Sequence, residues 1–246
     1  MTGVQSSKRK LGSSWIDLVA RHLLIPVAKR TLQPSVQWYL RRTRTYRGFG
    51  LQLQIAPGVF HPRWFFSSQV MAQWLTEQAL QDKSLLDFGT GSGLLGLVAA
   101  SRGARVTLLD VSARALMCAH DNAMANGLSV HLIHSDGFCQ VDDRGGWDVI
   151  VSNPPWFPHQ PDSQASFAWN AGSELQWFDH FFDALPEHLN DGGSCFFVMA
   201  QSADLVSIDE LAGRYGWILK SIHQERVWWE QQMIIEVCRP DRGNTL

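Results

Sequence analysis

The sequence predicts an α/β protein built on one mostly parallel sheet with helices on both faces. Three observations carry this. From residue 67 onward, short apolar strands alternate with amphipathic helices, the pattern of repeated strand–helix–strand units. A glycine-rich turn joins one such strand directly to a helix at Asp87–Gly96. Two late strands with only a short break between them suggest an antiparallel hairpin at the end of the sheet.

Taken in order, Leu11–Leu32 reads as a helix, because Trp15, Leu18, Val19, Leu23 and Val27 recur at helical spacing. Pro26 and Pro34 bend or stop it. The stretch Arg41-Arg42-Thr43-Arg44-Thr45-Tyr46-Arg47-Gly48 is too charged for a core. Leu51, Leu53 and Ile55 alternate like a short strand, and Pro57-Gly58 turns it. Ser67–Gln81 is expected as a helix, Ser84–Phe88 as a buried strand, and a helix then runs to Ser101. A strand at Arg105–Asp110 leads to a helix over Ser112–Asn126, with Ser112 as its cap. Ser129–His134 and Trp147–Ser152 are strands, Glu174–Leu189 a helix and Ser194–Met199 a strand. Leu205–Tyr215 is a helix, and Ile218–Glu225 and Gln232–Cys238 form the closing pair. Trp228-Trp229, in the break between them, is expected to pack in the core or at the sheet edge.

The chain has 246 residues, of which 45% are hydrophobic and 18% charged, a composition too apolar for a disordered protein. No run approaches the roughly 18 apolar residues of a membrane span, so membrane insertion is not expected. Cys118, Cys139, Cys195 and Cys238 form no C-x-x-C pair, which argues against a disulfide scaffold or zinc ribbon and for a reducing compartment. The net charge of -2 conceals an asymmetry: residues 1–63 hold eleven Lys and Arg against one acid, Asp17, a balance of +10, and the rest carries -12. Such a basic arm suits a polyanionic partner, an organelle address or a dock onto the acidic body.

Chemistry in an open α/β sheet gathers beyond the carboxyl ends of the strands. Four ends stand out. Asp87-Phe88-Gly89-Thr90-Gly91-Ser92-Gly93 follows a strand, and its glycines let a ligand approach the backbone closely. Asp110 closes the next strand as an acid opposite that loop. Gly91-x-Gly93-x-x-Gly96 with Asp110 downstream also fits a dinucleotide fingerprint. Asp136-Gly137-Phe138 follows the third strand and reads equally as an ordinary loop or as an acid for an adenine amino group with Phe138 packed on its ring. Asn153-Pro154-Pro155-Trp156 ends the fourth. Its prolines stiffen a loop that presents the Asn153 amide and the Pro154 carbonyl as acceptors, followed by a flat ring. That device suits a planar amide or amine nitrogen.

Residues 84–156 resemble the class I S-adenosylmethionine-dependent methyltransferases, in the small-domain branch with an Asn-Pro-Pro-aromatic motif. That branch includes enzymes acting on glutamine amides of release factors and on exocyclic nitrogens of nucleic-acid bases. Pro57-Gly58-Val59-Phe60-His61-Pro62 is similar to the segment before the fold in that branch. The resemblance implies a Rossmann-like fold of seven strands with the last antiparallel. It implies S-adenosylmethionine held by Asp87, Gly89, Thr90, Gly91, Gly93, Asp110, Asp136, Gly137 and Asn153. Asn153, Pro154 and Trp156 become the catalytic set, and Phe60, Pro155 and Trp156 face the acceptor. Trp156 stands where Tyr or Phe is commoner in the family. The expected partner is a protein or nucleic-acid methyl acceptor, ahead of a small molecule, in the cytoplasm unless the basic start is an organelle address. No metal is expected, His131 and His134 being unsuited as a ligand pair. Phe157-Pro158-His159-Gln160-Pro161 and Trp169 are candidates for a substrate lid. The chain divides into a basic helical region, 1–50, and a methyltransferase domain, 51–246. A nicotinamide-dependent oxidoreductase and a catalytically silent binding subunit stay open as alternatives.

Overall fold

A computed structural model of the protein describes residues 42–63, 66–141, 146–156 and 170–240. By its internal contacts the chain forms two units, Met1–Arg42 and Thr43–Leu246, and the second is described here. The expected helix at Leu11–Leu32, the arm's Arg41 and the lid candidates at 157–161 and Trp169 lie outside the described residues.

The unit opens with a hairpin, β1 (Arg44–Gly48) and β2 (Leu51–Ile55), in which Gly48 faces Leu51 and Arg44 faces Ile55. Its two-residue turn places both Phe49 and Gly50 at positive φ, as a tight hairpin between right-twisted strands requires. In β2, Leu51, Leu53 and Ile55 face inward as the alternation predicts, whereas β1 buries only Tyr46. The arginines that make β1 unfit for a core do not prevent it from pairing: Arg47 stands on the solvent side, and Arg44 lies half-exposed at the end of the face that carries Tyr46. The hairpin spans residue 50, so both sides of the expected domain boundary pair with each other.

Helix α1 (Phe66–Leu75) ends six residues before the expected Gln81, where the Thr76 hydroxyl donates to the Gln73 carbonyl and closes the last turn. Then come β3 (Ser84–Phe88), α2 (Leu94–Ser101), β4 (Arg105–Asp110), α3 (Ala113–Ala125), β5 (Val130–His134) and β6 (Trp147–Ser152). The Ser112 hydroxyl accepts from the Ala115 amide, so the predicted cap of α3 is present. The chain continues through α4 (Gln176–His188), β7 (Leu189–Ala200), α5 (Leu205–Arg214), β8 (Ile218–Val227) and β9 (Glu230–Cys238). Strand β7 starts earlier than expected, since Leu189 already pairs with Trp147 ahead of a bulge.

The seven strands lie in the order β5-β4-β3-β6-β7-β9-β8, with β9 antiparallel to both neighbours. Strand order therefore reverses between β3 and β6, and their carboxyl ends open a crevice. One face carries a core with Leu53, Met71, Leu97 and Leu116, from β2, α1, α2 and α3. The other carries an aromatic-rich core with Phe178, Phe181, Phe182 and Phe197, under α4 and α5. Among the described residues no helix is long and apolar enough to cross a membrane.

One expectation fails here. Trp228-Trp229 is not packing but the two-residue turn between β8 and β9, whose register closes at Val227 opposite Glu230. At that tip Trp228 and Trp229 are 70% and 66% exposed.

Candidate functional site

The glycine-rich turn leaves β3 and enters α2, and two carboxylates hold it. Asp87, 1% exposed, accepts from the Thr90 hydroxyl at 2.7 Å and the Gly96 amide at 2.9 Å. Burial pushes its carboxyl up to about 6, against those two hydrogen bonds. Asp110 at the end of β4 accepts from the Gly91 amide through one oxygen and from the Ser112 amide through the other, each at 2.9 Å. Burial also raises the Asp110 carboxyl, with the Ser112 and Gly91 amides opposing. The Val111 amide contributes as well, and a carboxylate with its roughly four acceptor directions is not saturated by these bonds. Gly89 sits at φ +77°, a conformation that admits little but glycine.

These bonds decide between the two ligands the turn suggests. The Gly89 and Thr90 amides donate to the Leu109 carbonyl and the Gly93 amide to the Thr90 carbonyl. With Gly91 and Gly96 tied to carboxylates, the amides of all four fingerprint-region glycines and of Thr90 are bonded inside the protein. A Cβ at Gly96 would strike the Leu108 side chain, so this glycine serves packing of α2 on β4. The cavity above the turn has Asp110 and Asp136 in its wall and, among the described residues, no Lys or Arg. That field repels phosphates and suits a ligand bearing sulfonium and ammonium charges together with ribose hydroxyls.

Of the residues singled out from the sequence, Phe60, Gly89, Thr90, Gly91, Asp110, Asp136, Gly137, Asn153 and Pro155 line this cavity. Phe60 lies over the turn, 3.7 Å from where a Cβ on Gly91 would stand. Asp87 and Gly93 do not line it; Asp87 supports the turn from below and Gly93 caps α2. Phe138 also departs from expectation. It packs in the core against Phe88 and stacks on His188 at 4.2 Å, because its side chain turns under the sheet end rather than over the cavity.

The motif after β6 is set from beneath as well. The Ser152 hydroxyl donates to the Phe88 carbonyl at 2.7 Å, tying β6 to the end of β3. The Asn153 amide nitrogen donates to the Ser68 hydroxyl oxygen on α1 at 2.9 Å. That bond orients the carboxamide, and its oxygen is left buried with no hydrogen-bond partner. An orphaned acceptor of this kind is costly unless a ligand donates to it. Pro154 and Pro155 are buried, and Trp156 is half-buried at an adjacent cleft rather than in the main cavity. Ser68 and Trp177 also line the cavity, and sequence reading missed both. They come from helices remote from the motifs, and no local pattern marks them. Among the described residues no cluster of His, Cys, Asp and Glu could hold a metal ion.

Comparison with known proteins matches residues 50–218 to the methyltransferase small domain family. The chain is 31% identical over 77% of its length to a Methanocaldococcus jannaschii protein named as a protein N5-glutamine methyltransferase, covering 96% of that protein. It is 28% identical over 87% of its length to the release factor glutamine methyltransferase of Lactococcus lactis, covering 80% of it. Among solved structures, the T. thermophilus 16S rRNA N2 methyltransferase in complex with AdoMet and guanosine shares the fold. The TM-score is 0.61 at 20% identity, over 81% of this chain and 50% of that one.

Proposed function

The chain belongs to the methyltransferase small domain family and is an S-adenosylmethionine-dependent methyltransferase, and on that premise we propose that its acceptor is the side-chain amide of a protein glutamine. The observation that carries this is the buried, unpartnered Asn153 oxygen at the wall of the cavity. It calls for an N–H donor, and a primary amide offers one. Relatives named for glutamine methylation match most of this chain and most of their own length, which supports the same choice.

Bound S-adenosylmethionine supplies a methyl group already activated as a sulfonium. Asp110 takes the ribose hydroxyls on its spare acceptor directions. Asp136 and Gly137 border the adenine, while the turn Gly89-Thr90-Gly91 lies under the amino-acid end, with Asp87 and Gly93 holding its shape. Phe60 and Pro155 close the cavity between cofactor and acceptor. Asn153 accepts an N–H of the acceptor amide and turns its nitrogen toward the methyl, and the Pro154 carbonyl takes the second N–H. Both oxygens also stabilise the positive charge that grows on nitrogen during transfer. Trp156 offers a flat ring beside the acceptor. No side chain need act as a base in that step, because the surplus proton leaves to water afterwards. A reducing compartment such as the cytoplasm suits the four free thiols.

The exocyclic amine of a nucleic-acid base is the second reading. It presents the same planar N–H pair to Asn153, and the rRNA enzyme shows that this fold can serve a nucleoside acceptor. Incubation with methyl-labelled S-adenosylmethionine and fractionated cell extract separates the readings. We expect label in protein, recovered after proteolysis as N-methylglutamine. Label confined to RNA or DNA selects the base, and no label in any macromolecular fraction contradicts both.

A further inference from the structure

Beside the acceptor motif lies a second cleft, formed by Phe66 at the start of α1, Trp156, the turn pair Trp228-Trp229, and Glu230 and Gln232 of β9. Phe66 and Trp228 stand 5.6 Å apart between ring centroids, and Trp228 and Trp229 meet edge to face at 5.3 Å. The walls are thus flat aromatic faces. Gln232 is 4% exposed, yet its side-chain oxygen is buried without a hydrogen-bond partner. The Glu230 carboxylate accepts from Ser202 and Gln232, which hold it at the rim. Among the cleft's described residues there is no Lys or Arg.

The turn itself is unusual. A two-residue hairpin turn in which only the first residue takes a positive φ favours Gly at that position. Here Trp228 occupies that position at φ +59°, where a bulky side chain is strained. The chain keeps two large exposed rings where smaller residues would fold better.

We propose that this cleft clamps an arginine side chain of the polypeptide that carries the acceptor glutamine. This rests on the protein-acceptor reading above and names a second contact for it. A guanidinium meets the cleft's exposed rings, its orphaned Gln232 acceptor and its carboxylate at once. Its plane stacks on an exposed tryptophan face, its N–H groups satisfy the Gln232 oxygen, and its charge answers Glu230. A base would stack and donate equally well, but its phosphates would enter a cleft without cations. The surrounding chain is also acidic, residues 64–246 carrying 22 acids against 10 bases, and so attracts a basic segment.

The test is calorimetric titration of the full chain, saturated with S-adenosylhomocysteine, with acetyl-Gly-Arg-Gly-amide and with its citrulline twin. Citrulline keeps the shape and loses the charge. Wild type should bind the arginine peptide about tenfold more tightly. The double variant Trp228→Gly, Trp229→Asn installs a sequence that suits this turn, so the hairpin survives while the rings are lost. It should bind S-adenosylhomocysteine normally and no longer distinguish the peptides. Equal binding of the two peptides by wild type overturns the proposal, as does discrimination that survives in the double variant. Binding of the single-stranded oligonucleotide decathymidylate that depends on the same tryptophans overturns it in favour of a base. Failure of the methyl-transfer reading would appear separately, as no binding of S-adenosylhomocysteine at all.

Discussion

Two aspartates at strand ends, Asp87 and Asp110, share the glycine turn and differ in what they can reach. Asp110 stands in the cavity wall, so on the proposed cofactor pose Asp110→Ala would remove charge-assisted hydrogen bonds to the ribose. The expected loss is about 1.5–3 kcal/mol, a tenfold to hundredfold weaker S-adenosylmethionine titration. Unchanged affinity in a folded variant would remove Asp110 from the cofactor site. Asp87 acts on stability instead. Its pKa of about 6 lies above the ordinary 3.8, so the folded protein holds a proton that the unfolded chain releases between those values. The stability linked to this group is full below about pH 4 and falls as pH rises through 6, by roughly 3 kcal/mol. Asp87→Asn keeps an oxygen able to accept from Thr90 and Gly96 and removes the titration. Chemical denaturation across pH should find wild type and variant close near pH 4 and the variant more stable at pH 8. A variant less stable at pH 8 would show that the charge itself holds the turn.

Between β2 and α3 the chain uses two asparagines as a substitute strand. Asn122 receives the Gln54 amide at 2.7 Å and donates to the Gln54 and Ser92 carbonyls, while Asn126 receives the Gln52 amide at 3.0 Å and returns a bond to its carbonyl. Four residues of helix rise about 6 Å and two residues of strand about 6.7 Å, so side chains one turn apart match alternate strand residues. Because Asn122 also holds Ser92 of the glycine turn, it links the hairpin to the cofactor cavity. Asn122→Ala should cost about 2 kcal/mol in denaturant unfolding, and a loss under about 0.5 kcal/mol would make the clamp incidental. Elements with a strong period were legible in the sequence: β3 to β6 fall where the apolar runs place them. The exceptions have physical causes. Strand β1 is hidden because one buried residue, Tyr46, gives no alternation, and the Trp228-Trp229 turn because tryptophans are not turn formers.

Across the molecule, the two sides of the crevice divide the work. Strands β3, β4 and β5 end in the turn, Asp110 and Asp136, which the proposal assigns to the cofactor. Strand β6, α1 and the β8–β9 tip bring Asn153, Ser68, Phe66 and the paired tryptophans, which the proposals assign to the acceptor. The first group could be read from sequence because each residue follows its own strand. The second could be read only at Asn153–Trp156, since Ser68 and Trp228 meet the motif through tertiary packing. The division is tested most directly by Asn153→Ala, assayed for S-adenosylmethionine affinity by titration and for turnover on the labelled acceptor fraction. Turnover should fall about a hundredfold or more while the cofactor dissociation constant stays within about threefold of wild type. Loss of cofactor affinity in step with turnover, or turnover left intact, would contradict the assignment of Asn153 to the acceptor nitrogen.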